Sequence, residues 1–212
     1  MRPLRYWRLA GWLLSGGPLL RLIWLTAHGK LGANPVEFIE HYSGDWSLRL
    51  LLAGLALTPL RRWSGRAEAL AIRRLLGLWA FFWICLHFAI YLTFDLEWSA
   101  RLLGEDLVKR TYITLGFTAW LLLLPLAITS TRGWQRRLGA RWRRLHRLVY
   151  PAALLGAFHY LWLVKADVRE PLIYLVVLAV LLAVRTLRCR PQCGPAPDRP
   201  AAVRRGRGRT AN

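Results

Sequence analysis

The chain has 212 residues, 55% of them hydrophobic, with 12 tryptophans and a formal net charge of +20. Its apolar residues come in long runs that leave no soluble basic module, which excludes a nucleic-acid-binding domain; anionic lipid headgroups are the partner this charge suits. It contains neither a G-x-G-x-x-G nor a P-loop, which excludes NAD(P)H or ATP held through the usual folds.

Six apolar stretches approach or exceed the length that crosses a bilayer, roughly 9–27, 46–60, 75–94, 112–129, 145–164 and 171–187. The second is the shortest. No small-residue cleavage site follows the first, and Arg21 interrupts it, so it reads as a retained span and not a signal peptide. Arginines mark alternate connections: Arg2, Arg5 and Arg8 before the first span, Arg61 to Arg74 between the second and third, and Arg132 to Arg147 between the fourth and fifth. Eight more follow Val184, and together these make 23 of the 31 basic residues. By the positive-inside rule the expected fold is an all-α integral membrane bundle of six transmembrane helices with both termini cytoplasmic. It divides into a cytoplasmic N-terminus (1–8), a transmembrane domain (9–190) and an Arg- and Pro-rich tail (191–212) that has little to bury and reads as disordered.

The first span ends in HGKLGANPVEFIEHYSGDW, whose Gly, Asn and Pro mark a compact outer loop. His28 and His41 lie there, and a solvated or loop-capping role suits each. Arg21 sits about two helical turns inside its outer helix end, so it either snorkels outward or pairs with an anionic group held between helices. Arg49 is a similar candidate at shallower depth. Nine of the eleven acidic residues also fall on this outer side, from Glu37 to Glu170.

The third span, RRLLGLWAFFWICLHFAIYLTF, carries His87 thirteen residues beyond Arg74. The fifth enters from the same side, and His159 lies thirteen residues beyond His146. Each interval is roughly 20 Å of helix rise, which places His87 and His159 level in the outer half of the membrane. Two neutral imidazoles at one depth, with no acidic residue in either span, suit a six-coordinate haem iron better than a four-ligand zinc site. The bland alternative is two separately satisfied core histidines. Cys85 reads as a small apolar residue, Cys189 and Cys193 lie in the tail on the reducing side, and no C-x-x-C-H occurs, so a haem here is of b type.

His146 is left without a histidine partner, because the same count back from His87 reaches Arg73 and Arg74. The arginines beside it suit haem propionates or a flavin phosphate. On a straight helix His146 and His159 would point about 140° apart, and Pro151 between them offers a kink or local unwinding. Pro125 is placed to kink the fourth span.

The segments HGKLGANPVEFIEHYSG, RRLLGLW…LH, TLGFTAW…LAITST and RWRRLHRLVY…HYLW, in this order, resemble the MsrQ (YedZ) family of haem-binding membrane subunits, within the ferric-reductase-like transmembrane group. The resemblance runs from about Trp24 to Ala183. It implies an electron-transfer subunit of the bacterial inner membrane, not the sulfoxide-reducing subunit itself. Electrons would pass from the quinone pool or a cytosolic flavin reductase through haem b to a periplasmic molybdopterin-containing methionine-sulfoxide reductase. His87 and His159 match the family's haem-ligand positions. His146 matches a third functional histidine, for a second haem or another cofactor. Arg21, Arg49 and Arg74 are candidates to contact propionate or phosphate, and the family is associated with FMN. Two other readings share these residues: a ferric reductase or b561-like cytochrome with another acceptor, and a membrane scaffold or transporter. A transporter would show broken helices in related halves, and no internal repeat is legible.

Overall fold

The computed structural model describes residues 2–65, 67–164 and 167–187, and every regular element among them is helical. The tail over 191–212, with Cys189 and Cys193, lies outside the described residues. In chain order the helices are α1 (Arg2–Ala27), α2 (Pro35–Ser64), α3 (Arg73–Phe94), α4 (Ala100–Lys109), α5 (Thr111–Ile128), α6 (Arg132–Leu138), α7 (Ala140–Leu145), α8 (Val149–Leu163) and α9 (Arg169–Leu187). Single 3-10 segments, Ala67–Ile72 and His146–Leu148, lead into α3 and α8.

Local chemistry sets several of these limits. Asn34 accepts a hydrogen bond from the Glu37 amide and Pro35 occupies the first turn, so the outer loop ends where α2 begins. Gly65, at φ +67°, stops α2 in the left-handed conformation that glycine adopts without strain. The helix is therefore longer than the apolar stretch at 46–60 and carries a polar outer end. Ser99 caps α4 through the Leu102 amide. By its sequence that segment is one of the short polar connections, and its helix lies outside the six apolar stretches.

Among the described residues three helices are long and apolar enough to cross a membrane, over Arg5–Ala27, Arg73–Phe94 and Thr111–Ile128. These correspond to the first, third and fourth expected spans. The fifth expected span is not one helix. It is divided into α7, the 3-10 turn at His146–Leu148 and α8. The unwinding precedes Pro151, which sits in the first turn of α8, where backbone N–H groups have no intrahelical acceptor and proline costs nothing.

Two helix pairs form the core. On α2 and α3, Leu50, Leu76, Ala80 and Trp83 are almost wholly buried, and Ser47 donates a buried hydrogen bond to the Ala80 carbonyl at 3.0 Å. On α8, Ala152, Ala153 and Ala157 are buried, which lets α5 approach closely. α9 packs against α8 and α2, and α1 against α3 and the preceding 3-10 turn. Large side chains face outward instead: Trp12, Leu13 and Leu20 on α1, and Ile173, Val176 and Val180 on α9. Hydrocarbon tolerates such a surface and water does not.

Candidate functional site

Between the two helix pairs lies a cavity of about 240 Å³, into which His87 of α3 and His159 of α8 project. Their ring centroids are 6.2 Å apart and their planes 78° from parallel. His87 Nδ1 is 3.0 Å from the Glu40 carbonyl, and His159 Nδ1 is 2.7 Å from the Tyr112 carbonyl. A carbonyl only accepts, so each Nδ1 carries the proton and each Nε2 keeps its lone pair. A bond of this kind from the far ring nitrogen fixes the tautomer and orientation of a metal-ligating imidazole.

Glycines make the arrangement possible. A Cβ on Gly44 would lie 3.3 Å from the His87 ring, and one on Gly116 would lie 2.8 Å from His159 Nδ1. The two halves share one register. Carbonyl, glycine and histidine fall at 40, 44 and 87 in the first half and at 112, 116 and 159 in the second, an offset of 72 each time (112 − 40, 116 − 44, 159 − 87). A repeat was not legible in the sequence because it is carried by backbone acceptors and one close approach per half, not by matching side chains.

The pair fits a haem iron. Two metal–imidazole bonds of about 2 Å, with each ring centre roughly 1 Å beyond its nitrogen, put the centroids roughly 6 Å apart. The cavity wall that would receive the macrocycle is mainly apolar and aromatic, with Leu48, Ile84, Phe88, Phe117 and Trp120. Among the described residues no group of three or more His, Cys, Asp and Glu side chains could hold a metal by itself. Cys85 does not line the cavity; its sulfur accepts from Trp120 Nε1 at 3.4 Å.

The outer mouth is polar. Glu40, His41, Asp45, Asp95 and Arg110 line it, and among the described residues Arg110 is the single arginine or lysine on the cavity wall. At the outer end of α2, before its apolar stretch, burial pushes the Glu40 carboxyl up to about 7, with Asp95 and Glu37 adding to the effect. Arg49 lies outside the wall. Its guanidinium is held by Asp45 at 2.9 Å and donates to the Tyr174 hydroxyl at 2.7 Å, so it ties α2 to α9. Arg21 is exposed on α1 and lines neither cavity. His28 caps the end of α1 by donating to the Trp24 carbonyl at 2.8 Å.

His146 lines a second cavity of about 570 Å³ at the opposite end of the helix pairs, together with Arg73, Arg74, Arg143, Arg147 and Arg185. Its Nδ1 donates to the Trp142 carbonyl at 3.2 Å, and its ring stacks on Trp142 with centroids 3.9 Å apart. Nε2 is buried with no hydrogen-bond partner within contact distance among the described residues. The 72-residue offset makes Arg74 the counterpart of His146 (146 − 72 = 74), so this end has one histidine where the outer end has two. The five guanidinium groups fit a ligand bearing carboxylate or phosphate, and the Nε2 lone pair beside them suits a metal or a hydrogen-bond donor on that ligand. Leu51 and Leu123 line both cavities and stand between them.

Sequence reasoning missed Gly44, Gly116 and Arg110. The glycines carry no local signal, since both sit within helices. Arg110 carries a weak one, as a basic residue among outer acidic groups directly before a helix.

A family model described as a ferric reductase like transmembrane component matches residues 43–157, which include His87 and His146 and end just short of His159. The haem-binding subunit MsrQ of protein-methionine-sulfoxide reductase from Xanthomonas axonopodis pv. citri is 55% identical over 163 residues, covering 77% of this chain and 75% of the relative. That of Xanthomonas campestris pv. campestris is 56% identical over 155 residues, covering 73% and 71%. That of Rhodospirillum rubrum is 52% identical over 188 residues, covering 85% and 89%.

Proposed function

We propose, from the premise that this chain belongs to the MsrQ family of haem-binding subunits within the ferric-reductase-like transmembrane proteins, that it is an electron-transfer subunit of a methionine-sulfoxide reductase system. In this reading six spans cross the bacterial inner membrane with both termini cytoplasmic. The acceptor is a periplasmic molybdopterin-containing reductase subunit that repairs oxidised methionine in periplasmic proteins. The donor is quinol from the membrane pool or a cytosolic flavin reductase.

The observation that carries the reading is the facing pair of imidazoles, with both Nδ1 protons committed to backbone carbonyls. His87 and His159 would hold the iron of a b-type haem through Nε2. When bound, this group supplies a one-electron ferric–ferrous couple. The protein's own work is then positional. The Glu40 and Tyr112 carbonyls fix the two tautomers, Gly44 and Gly116 leave room for the rings, and the apolar wall excludes water. With two protein ligands on the iron, no position is left open for oxygen, which suits electron transfer. In the second cavity His146 and Arg74, with the neighbouring arginines, would hold a second haem or FMN on the cytoplasmic side, where electrons enter.

The test is the absorption spectrum of detergent-purified protein, oxidised and reduced, with pyridine-haemochrome quantification. The wild type should show a low-spin b-type spectrum that collapses in His87→Ala and His159→Ala. His146→Ala should keep that spectrum and lose any additional haem or flavin. A wild type that takes up no supplied haem would sink the reading. The match to a ferric reductase component favours a second reading, in which iron or another acceptor replaces the reductase subunit. Retained iron reduction without reduction of the molybdopterin partner would select it.

A further inference from the structure

Arg110 stands where the chain has most need of a cation. The mouth of the outer cavity presents the carboxyl groups of Glu40, Asp45 and Asp95, and among the described residues Arg110 is the single arginine or lysine on that wall. A porphyrin that brings carboxylates of its own to this end meets these acidic groups, and Arg110 offsets them. The residue that resembled a cation for this role in the sequence, Arg49, is held by Asp45 and Tyr174 and lies off the wall.

Arg110 is also held in place. It ends α4 and directly precedes α5, and its Nε lies 3.3 Å from Asp106 Oδ1. The other oxygen of Asp106 accepts a 2.6 Å hydrogen bond from the Tyr91 hydroxyl, and Tyr91 sits one helical turn beyond His87 on α3. A guanidinium has five N–H donors, and the contacts with Asp106 and the Tyr112 side chain leave others for a ligand in the cavity that Arg110 lines. Two residues further on, the Tyr112 carbonyl holds His159. One short segment thus orients the His159 imidazole and places a cation on the wall of the same cavity.

We infer that Arg110 anchors a carboxylate of the macrocycle held between His87 and His159, and that Asp106, braced by Tyr91, positions its guanidinium. This rests on the haem reading above. Arg110 is a cofactor-positioning residue with two separable effects. It slows release of the macrocycle through a charge-assisted hydrogen bond, and its positive charge favours the reduced iron.

The experiment compares wild type, Arg110→Gln, Arg110→Lys and Arg101→Gln, each reconstituted with haem or with haem whose carboxylates are methyl esters. Arg101 is a control: it pairs with Glu105 on exposed α4 and does not line the cavity. In the wild type, esterification should speed haem loss to a scavenger by about ten-fold. Arg110→Gln should lose native haem about as fast as wild type loses the ester, and should not distinguish the two ligands. Its haem midpoint potential should move negative. Arg110→Lys should restore the potential and only part of the retention, because lysine keeps the charge without the fork. If Arg110→Gln still distinguishes acid from ester as wild type does, or if its potential matches that of Arg101→Gln, the inference is overturned while the haem reading stands. Should Arg110→Gln fail to fold, an unchanged rate of loss for the ester from wild type overturns it equally. A wild type without haem overturns the haem reading itself.

Discussion

Gly116 shows how one atom can decide whether a site exists. A helix gains about 0.5–1 kcal/mol when an interior glycine becomes alanine, yet here the added Cβ would stand 2.8 Å from His159 Nδ1, closer than real carbon contacts allow. Gly116→Ala should therefore fold at least as well as wild type but bind little haem, because the ring must turn away and release the Tyr112 carbonyl. Gly44→Ala, at 3.3 Å from the His87 ring, should keep most of its haem with a shifted spectrum. Paired measurements of thermal stability and haem content check both. Equal haem loss in the two variants would show that the cradle is not graded by distance. At this scale the histidines were legible, since thirteen-residue intervals from a shared charged edge placed His87 and His159 level. The glycines were not, because only the partner helix gives them meaning.

Arg49 shows what element packing adds. From the sequence it was a candidate propionate contact; in the fold it joins α2 to α9 through Asp45 and Tyr174. Arg49→Ala should lower stability in detergent by about 1–2 kcal/mol, the scale of a part-exposed charged hydrogen bond, and leave haem content and potential near wild type. A thermal melt followed at the haem absorption band checks this. Haem loss without a lower melting temperature would return Arg49 to the cofactor. The break before α8 belongs here too. Pro151 signalled an irregularity, but the unwinding falls at His146–Leu148, because proline is harmless in a first turn while a preceding 3-10 turn redirects the chain.

Across the whole molecule, the arginine-rich connections predict sidedness. In intact spheroplasts, a cysteine replacing the exposed Trp98 of the α3–α4 turn should react with an impermeant maleimide, and one replacing Arg137 of α6 should react only after lysis. A fluorescent protein fused to the C-terminus should fluoresce, and alkaline phosphatase there should be inactive. Labelling of the Arg137 site before lysis would overturn the orientation. The sequence by itself determined the all-helical apolar character, the polarity of the connections and the level pairing of two histidines, because each follows from composition or from the fixed rise of a helix. Only the tertiary structure decided that Glu40 and Tyr112 supply the matching carbonyls, that Gly44 and Gly116 make room, that Arg49 is committed to Asp45 and Tyr174 and that Arg110 lines the cavity. Those contacts join residues far apart in the chain, and no local periodicity encodes which helix faces meet.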